Sequence, residues 1–188
     1  GLAPGAGGKH KCWPLDRFIE LAAAQQAAGR TPVILLGPEE TEWAERVAQA
    51  LPDALLPLQS EAVQRLGPSP LVTIALAQRL ALAVANDAGV GHMMAAANCP
   101  LISLFGPTPP EKFAPLVSHA RILRAQNFAG DLAGARADGD DGDDGAAMEL
   151  IPLSAVEDAV EDLLGEIGMM TAASARPGGE GRLFGGGR

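Results

Sequence analysis

One stretch constrains the fold of this chain more than any other: an apolar run at residues 82–85 and the turn at residues 86–92 that follows it. The run does not alternate between apolar and polar residues, which is typical of a strand buried on both faces of a parallel sheet. Asn86 and Asp87 carry side chains that can bond free backbone amides at a helix start. Glycines allow a tight bend and a close approach to a ligand, and the next helix presents the positive end of its dipole. The stretch therefore predicts a site for a phosphate-bearing ligand.

Strand-like and helix-like segments alternate along the rest of the chain. Apolar runs at residues 33–36, and one that ends at Phe105, predict further strands, with a short strand at residues 54–58 and a last strand at residues 121–124. Apolar residues at helical spacing mark the segments between them, and Gly29 is predicted to cap the first helix. This alternation predicts an α/β fold with a doubly wound, mostly parallel, Rossmann-like sheet.

In such a sheet, ligands bind outside the carboxyl ends of the strands. Four loops of this chain are predicted to converge there, at residues 5–11, 39–40, 87–92 and 106–108. Residues 59–69 are interpreted as a loop without recognisable chemistry, and residues 70–80 as a helix.

Two segments are predicted to lie outside the folded core, which spans residues 1–167. An acidic insertion near residues 130–147 contains Asp-Gly-Asp-Asp-Gly-Asp-Asp-Gly, and residues 168–188 form a flexible Gly-rich tail. The acidic run lacks the order of a calcium loop, because Gly142 stands where the third ligand of a loop beginning at Asp138 belongs. A surface insertion is favoured, with metal binding as the alternative.

Charge and cysteine usage exclude several classes of function. The net charge of −9 and pI of about 4.7 argue against a nucleic-acid or anionic-membrane surface, so a diphosphate must rely on local donors. No apolar run reaches membrane-spanning length, and no signal peptide is recognised. Cys12 and Cys99 are isolated, which predicts reduced thiols in a cytoplasmic protein.

Two strings in the chain carry a family resemblance. They are Pro4-Gly5-Ala6 followed by Lys11-x-Trp13-Pro14, and Asp87-x-Gly89-x-x-His92 followed by an Ala-rich helix and Leu104-Phe105-Gly106-Pro107-Thr108. Together they closely resemble the C-terminal, nucleotide-sugar-binding domain of glycosyltransferase family 9. That family contains the ADP-heptose:lipopolysaccharide heptosyltransferases, which have two Rossmann-like domains in the GT-B arrangement. Ala88 departs from the family, which usually has Thr or Ser there, so a hydroxyl contact to phosphate is expected to be missing.

The resemblance also implies which residues meet the donor. The residues implied to bind its ribose are Glu39 and Glu40, and those implied to lie near its sugar are Gly106 and Thr108. The residues implied to bind its phosphates are Ala6, Gly7, Lys11, Asp87, Ala88, Gly89, Val90, Gly91 and His92. The residues alone leave other roles open. Lys11 could be a solvated surface lysine, the two glutamates could serve the dipole of the next helix, and His92 could cap its own helix.

The function implied is the donor-binding half of a glycosyltransferase. Such an enzyme transfers a heptose-like sugar from a nucleoside-diphosphate sugar, ADP-heptose by resemblance, to a lipopolysaccharide-type or lipid-linked glycan acceptor. The transfer is inverting, with neither metal nor cofactor, in the cytoplasm or at the inner face of the cytoplasmic membrane.

The acceptor site and the catalytic base belong to an N-terminal domain, so the catalytic residue is unknown here. The chain is expected to be a fragment, or a product that lost its front half, and inactive alone. The alternative is a non-catalytic module that binds a nucleotide or a partner; a sugar-nucleotide epimerase is disfavoured because no acid–base pair stands out.

Overall fold

The computed structural model describes residues 1–67, 69–130 and 148–174, with side chains up to Met170. Its sheet contains four parallel strands in the order β1-β2-β3-β4: β1 is Leu2–Ala3, β2 is Ala83–Asn86, β3 is Leu101–Phe105 and β4 is Ala120–Arg124. β2 and β3 are buried along their whole length, including the polar residues Asn86 and Ser103, as their mostly apolar sequences predict.

Single bridges extend the sheet beyond β1, where the sequence predicted two further strands. Leu2 pairs with Ile34, and Val33 pairs with Leu55, all in parallel. Six segments are then numbered in chain order: β1, the bridge residues 33–34, Leu55, β2, β3 and β4. They lie side by side in the order 3-2-1-4-5-6, which is the order of doubly wound dinucleotide-binding sheets. All six segments are parallel, but the order in which the chain adds them to the sheet reverses between β1 and β2, so the crevice for a ligand is expected at that point.

Helices cover both faces of the sheet: α1 is Leu15–Ala27, α2 Thr41–Ala50, α3 Glu61–Leu66, α4 Pro70–Ala77, α5 Gly89–Ala96, α6 Pro110–Phe113 and α7 Leu153–Ser174. One buried cluster packs α1, α2 and α7 on one face, and a second packs α4 and α5 on the other. Gly29 follows α1 with φ of +80° and donates its N–H to the carbonyl of Gln26, which confirms the predicted cap.

Three boundaries differ from the sequence-based prediction. Residues 61–66, predicted as part of a loop, form α3. The fourth helix ends at Ala77, three residues before the predicted end. α7 continues to Ser174, past residue 167, because Ile167 lies at helical spacing from Leu163 and Leu164 and packs against the same core.

The acidic run at residues 138–145 and the predicted tail beyond residue 174 lie outside the described residues. Across the part of the chain that is described, no helix is long and apolar enough to cross a membrane. Cys12 and Cys99 are free thiols, as predicted, and burial raises the pKa of both.

Candidate functional site

A cleft of about 510 Å³ opens at the carboxyl end of the sheet, where the strand order reverses between β1 and β2. Its walls come from the loop after β1, the corner at residues 37–41, the segments at residues 58–67 and 69–73, and the start of α5. Three of the four predicted loops therefore line one cavity. The fourth, at residues 106–108, does not line it but reaches the same edge through Thr108.

Asn86, the last residue of β2, joins the two sides of the crevice. Its side chain is buried; Oδ1 accepts a hydrogen bond from the Trp13 backbone N–H at 3.1 Å, and Nδ2 donates to the Pro4 carbonyl at 2.7 Å. Both ends of the loop at residues 5–12 are thereby fixed. The sequence-based expectation that Asn86 bonds a following helix start is wrong, because the buried amide finds both partners in this preceding loop.

Trp13 supports the same loop from below. Its indole Nε1 donates to the carbonyl of Ile151 at 2.9 Å, and its ring meets Phe18 edge-on with centroids 5.0 Å apart. The residue is almost completely buried between α1 and the start of α7. The loop therefore rests on a packed base, which suits a site that must be formed before its ligand arrives.

Lys11, Asp87 and Thr108 meet above the end of β2. Lys11 Nζ lies 3.1 Å from Asp87 Oδ2, and the Thr108 hydroxyl donates to the same oxygen. Asp87 is also held through its backbone, since its N–H donates to the Leu104 carbonyl at 3.0 Å. The geometry thus brings together residues that the family resemblance assigned to phosphate and to sugar, although neither Lys11 nor Asp87 lines the cleft itself.

Glu39 and Glu40 both line the cleft, but their environments differ. Glu39 is exposed, whereas Glu40 is half-buried and folds back over the loop glycines. A β-carbon added to Gly5 would overlap the Glu40 carboxylate, and one added to Gly37 would lie 2.7 Å from its Oε2. Burial raises the pKa of Glu40, with a further rise from Glu39, while the backbone amides of Gly37 and Glu40 lower it. Of the two, Glu40 is the carboxylate held in a defined position.

The start of α5 forms part of the wall of the cleft. Ala88 is the N-cap, in an extended conformation without a side-chain cap, and Ala88 and Val90 line the cavity. The space above Gly89 is open. His92 lies one turn further along, is exposed, and is not part of the lining.

The glycines of this turn, which the sequence predicted to allow a tight bend, are not in the left-handed conformation. Among the described residues, glycines with positive φ are Gly29, Gly67 and Gly130. Ala88, which precedes the helix, is extended. Gly91 is small for another reason: a β-carbon there would lie 3.3 Å from Pro115 Cγ.

Sequence reasoning missed the outer wall of the cleft. The turn at residues 57–59, α3 and the start of α4 supply Leu58, Gln59, Val63 and Val72 to the lining. Gln59 Nε2 donates to the Leu36 carbonyl at 3.0 Å, which ties this wall to the sheet. One signal for α3 was available: Ser60 is its N-cap, and the Ser60 hydroxyl accepts from the Val63 N–H at 3.4 Å.

The loop after β3 is braced from the neighbouring strand. Gln126 Nε2 donates to the Gly106 carbonyl at 2.6 Å, and Arg124, at the end of β4, pairs with Glu111 of α6 at 2.7 Å. Within the described ranges, no three His, Cys, Asp or Glu side chains are grouped so that they could hold a metal ion.

Comparison with known proteins gives one consistent result. The family model of glycosyltransferase family 9 (heptosyltransferase) matches residues 1–132. Lipooligosaccharide heptosyltransferase 2 of Haemophilus influenzae is 33% identical over 126 residues, which cover 66% of this chain and 36% of that protein. The chain therefore spans about a third of that relative's length.

Two solved structures share the fold. The glycosyl transferase family 9 protein from Veillonella parvula superposes with a TM-score of 0.70 at 23% identity, over 88% of this chain and 46% of that one. The E. coli ADP-heptose LPS heptosyltransferase II gives 0.65 at 25% identity, with the same two coverages. Both contain the doubly wound arrangement that the alternation of segments predicted.

Proposed function

Because the chain belongs to glycosyltransferase family 9, the heptosyltransferase family, we propose that its cleft binds the nucleoside diphosphate part of a sugar donor. The observation that carries the proposal is the convergence of the loop after β1, the Glu40 corner and the start of α5 on one cavity at the reversal point of the sheet. Such a cavity offers loop backbone and a carboxylate along its length, and Lys11 belongs to the same loop after β1 although it does not line the cavity.

The parts of the donor follow from the chemistry of the walls. The diphosphate lies between the backbone amides of the glycine loop, which includes Ala6 and Gly7, and the amides of the first turn of α5 at residues 88–90, with Lys11 beside it. The ribose hydroxyls donate to Glu40, since a carboxylate accepts two hydrogen bonds from a diol. The base occupies the wall formed by Leu58, Val63 and Val72.

The reaction we assign is inverting transfer of a heptose-like sugar to a lipopolysaccharide-type glycan acceptor. The relatives named above are lipooligosaccharide and ADP-heptose LPS heptosyltransferases, which supports ADP-heptose as the donor. Amides and Lys11 stabilise the charge that develops on the leaving diphosphate, so no metal or cofactor is required. The loop at Gly106 and Thr108 faces the sugar, and His92 is a weaker candidate for a phosphate contact because it is exposed.

The acceptor and the catalytic base are assigned to a separate N-terminal half, as in the two-domain architecture of the family. We therefore expect this chain alone to bind nucleotide without transferring sugar. Its net charge of −9 gives no surface for nucleic acid, and we place it in the cytoplasm, with at most peripheral contact at the inner membrane face.

A module that binds a nucleotide or a partner without catalysis is the second candidate. Two carboxylates lie at or beside the cleft, and both have contacts already. Asp87 accepts hydrogen bonds from Lys11 and Thr108, and the Glu40 carboxylate packs against Gly5. Neither is free to remove a proton from an acceptor. An acceptor hydroxyl activated by this chain alone would argue against both assignments.

Titration calorimetry of the purified chain with ADP, UDP and GDP tests the proposal. ADP should bind, and binding should persist in EDTA. Lys11→Met should weaken it about tenfold, the worth of a charge-assisted hydrogen bond of roughly 1.5 kcal/mol or more. The matched control is Lys112→Met, on exposed α6, which should bind ADP like the parent. No binding of any of the three nucleotides at millimolar concentration would refute the proposed site.

A further inference from the structure

The oxygen Oδ2 of Asp87 receives two donors from different loops. The Lys11 ammonium reaches it at 3.1 Å from the loop after β1, and the Thr108 hydroxyl reaches it from the loop after β3. The Asp87 side chain is 11% exposed and that of Lys11 27% exposed. This is a half-buried, shared hydrogen-bond centre rather than a surface ion pair in free solvent.

Charge excludes Asp87 as a direct ligand of phosphate. An ionised carboxylate is only an acceptor of hydrogen bonds, and so are the oxygens of a diphosphate. Two such anions side by side repel each other, more strongly where water is partly excluded. The position of Asp87 next to the proposed phosphate site therefore has to be explained through a group that both anions attract, and Lys11 is that group.

The backbones that carry the pair are fixed independently of it. Lys11 lies in the short helical turn at Lys9–Lys11, and its own N–H donates to the Gly8 carbonyl at 3.0 Å. Two residues on, Trp13 is tied to Asn86, the neighbour of Asp87. With both main chains anchored, the remaining freedom is that of the long Lys11 side chain. Asp87 restricts that freedom.

We propose that Asp87 is a positioning residue that holds the Lys11 ammonium towards the diphosphate, is itself oriented by Thr108, and contacts no phosphate. The ammonium has three N–H donors, so one remains on Asp87 while the others turn to the phosphate oxygens. Restricting the lysine beforehand lowers the entropy lost on binding. This inference rests on the proposed function of the cleft.

A double-mutant cycle on the full chain tests it with ADP as the probe. Asp87→Asn, which keeps the shape and removes the charge, should weaken ADP binding about fivefold in the parent. In the Lys11→Met background the same change should not weaken binding at all, because Asp87 acts only through Lys11. Equal weakening in both backgrounds would mean direct contact or a structural effect. Tighter binding in the parent would mean that Asp87 only repels the nucleotide. Either result overturns the proposal.

Thr108 provides a second variant in case Asp87→Asn does not fold. Thr108→Val should weaken ADP binding about twofold in the parent and leave it unchanged in the Lys11→Met background, while Thr108→Ser should bind like the parent. Weakening by Thr108→Val that persists without Lys11, or that Thr108→Ser shares, contradicts the assigned role.

A readout without nucleotide separates this inference from the function of the cleft. The chain has three lysines, Lys9, Lys11 and Lys112, so each can be resolved by NMR after reductive ¹³C-methylation. The Lys11 signal, identified by its loss in Lys11→Arg, should stand apart and should move towards the other two in Asp87→Asn. An unmoved signal overturns the inference alone, whereas a parent chain that binds no ADP overturns the proposed function.

Discussion

Replacing the buried Asn86 by aspartate tests whether this side chain is what joins β2 to the loop after β1. Asn86→Asp keeps the size of the side chain and the acceptor for the Trp13 N–H. It exchanges the donor Nδ2, which lies 2.7 Å from the Pro4 carbonyl, for an oxygen. The new carboxyl group must either keep a proton and donate it to that carbonyl, or ionise while buried and face the carbonyl oxygen without a hydrogen bond.

The magnitude follows from the cost of keeping the proton. An aspartate in the unfolded chain has a pKa near 3.9, so holding a proton in the folded state at pH 7 costs about 4 kcal/mol, at ~1.36 kcal/mol per unit. The folded pKa of this carboxyl is raised, so the folded state binds more protons than the unfolded state. The variant therefore regains stability as the pH falls, by about 1.4 kcal/mol per pH unit between roughly pH 7 and pH 4.

Urea unfolding at pH 5, 6 and 7 measures both the loss and its slope. The matched control is Asn127→Asp, at an exposed position, which should follow the parent at every pH. A loss of 3–4 kcal/mol would be about a third of the stability of a typical domain, so it is well within reach of the method. A loss under about 1 kcal/mol at pH 7, or one that does not change with pH relative to the control, would refute the reasoning.

Four further changes test other parts of the site. Trp13→Phe should cost about 0.5–1.5 kcal/mol in calorimetric unfolding through the lost indole hydrogen bond, because Arg17 Nη1 still donates to the same Ile151 carbonyl. Gly91→Val should cost about 1–3 kcal/mol through overpacking, while Gly89→Ala, in open space, should change stability by less than about 1 kcal/mol; equal effects would contradict the packing argument. Glu40→Gln should stabilise the chain at pH 7 by less than about 1 kcal/mol, because burial raises the pKa of the half-exposed carboxyl, and the gain should vanish below its ordinary pKa. Ala88→Thr should tighten ADP binding by about 0.5–1.5 kcal/mol if the added hydroxyl reaches a phosphate; calorimetry that shows no gain would place the phosphates elsewhere.

Local patterns were sufficient to predict the elements that are buried on both sides. The apolar sequences of β2 and β3 permit little except an internal strand, and the alternation with amphipathic helices then requires parallel crossovers. Segments with few buried residues were harder. α3 has no fully buried residue, so no apolar period indicates it, and its Ser60 cap was the available signal.

In the site, too, some features could be predicted from local sequence patterns and others could not. Loop positions around the cleft followed from strand ends, because the carboxyl ends of parallel strands share one edge. The partners of individual side chains did not follow. Lys11 and Asp87 are 76 residues apart in the chain, and Asn86 bonds residues 73 and 82 positions away. Such pairings depend on where the sheet places two distant loops, which no local pattern encodes.

The placement of the two-residue strand β1 in the interior of the sheet has a consequence for folding kinetics. Leu2 pairs with Val84, a separation of 84 − 2 = 82 residues, whereas Ala83 pairs with Leu101 across 101 − 83 = 18. Closing the longer loop costs about 1.3 kcal/mol more, so β2, β3 and β4 are expected to assemble before β1 is inserted. If the glycine loop after β1 forms only after the rate-limiting barrier, it is absent from the transition state for folding. A nucleotide bound there would slow unfolding and leave the folding rate unchanged.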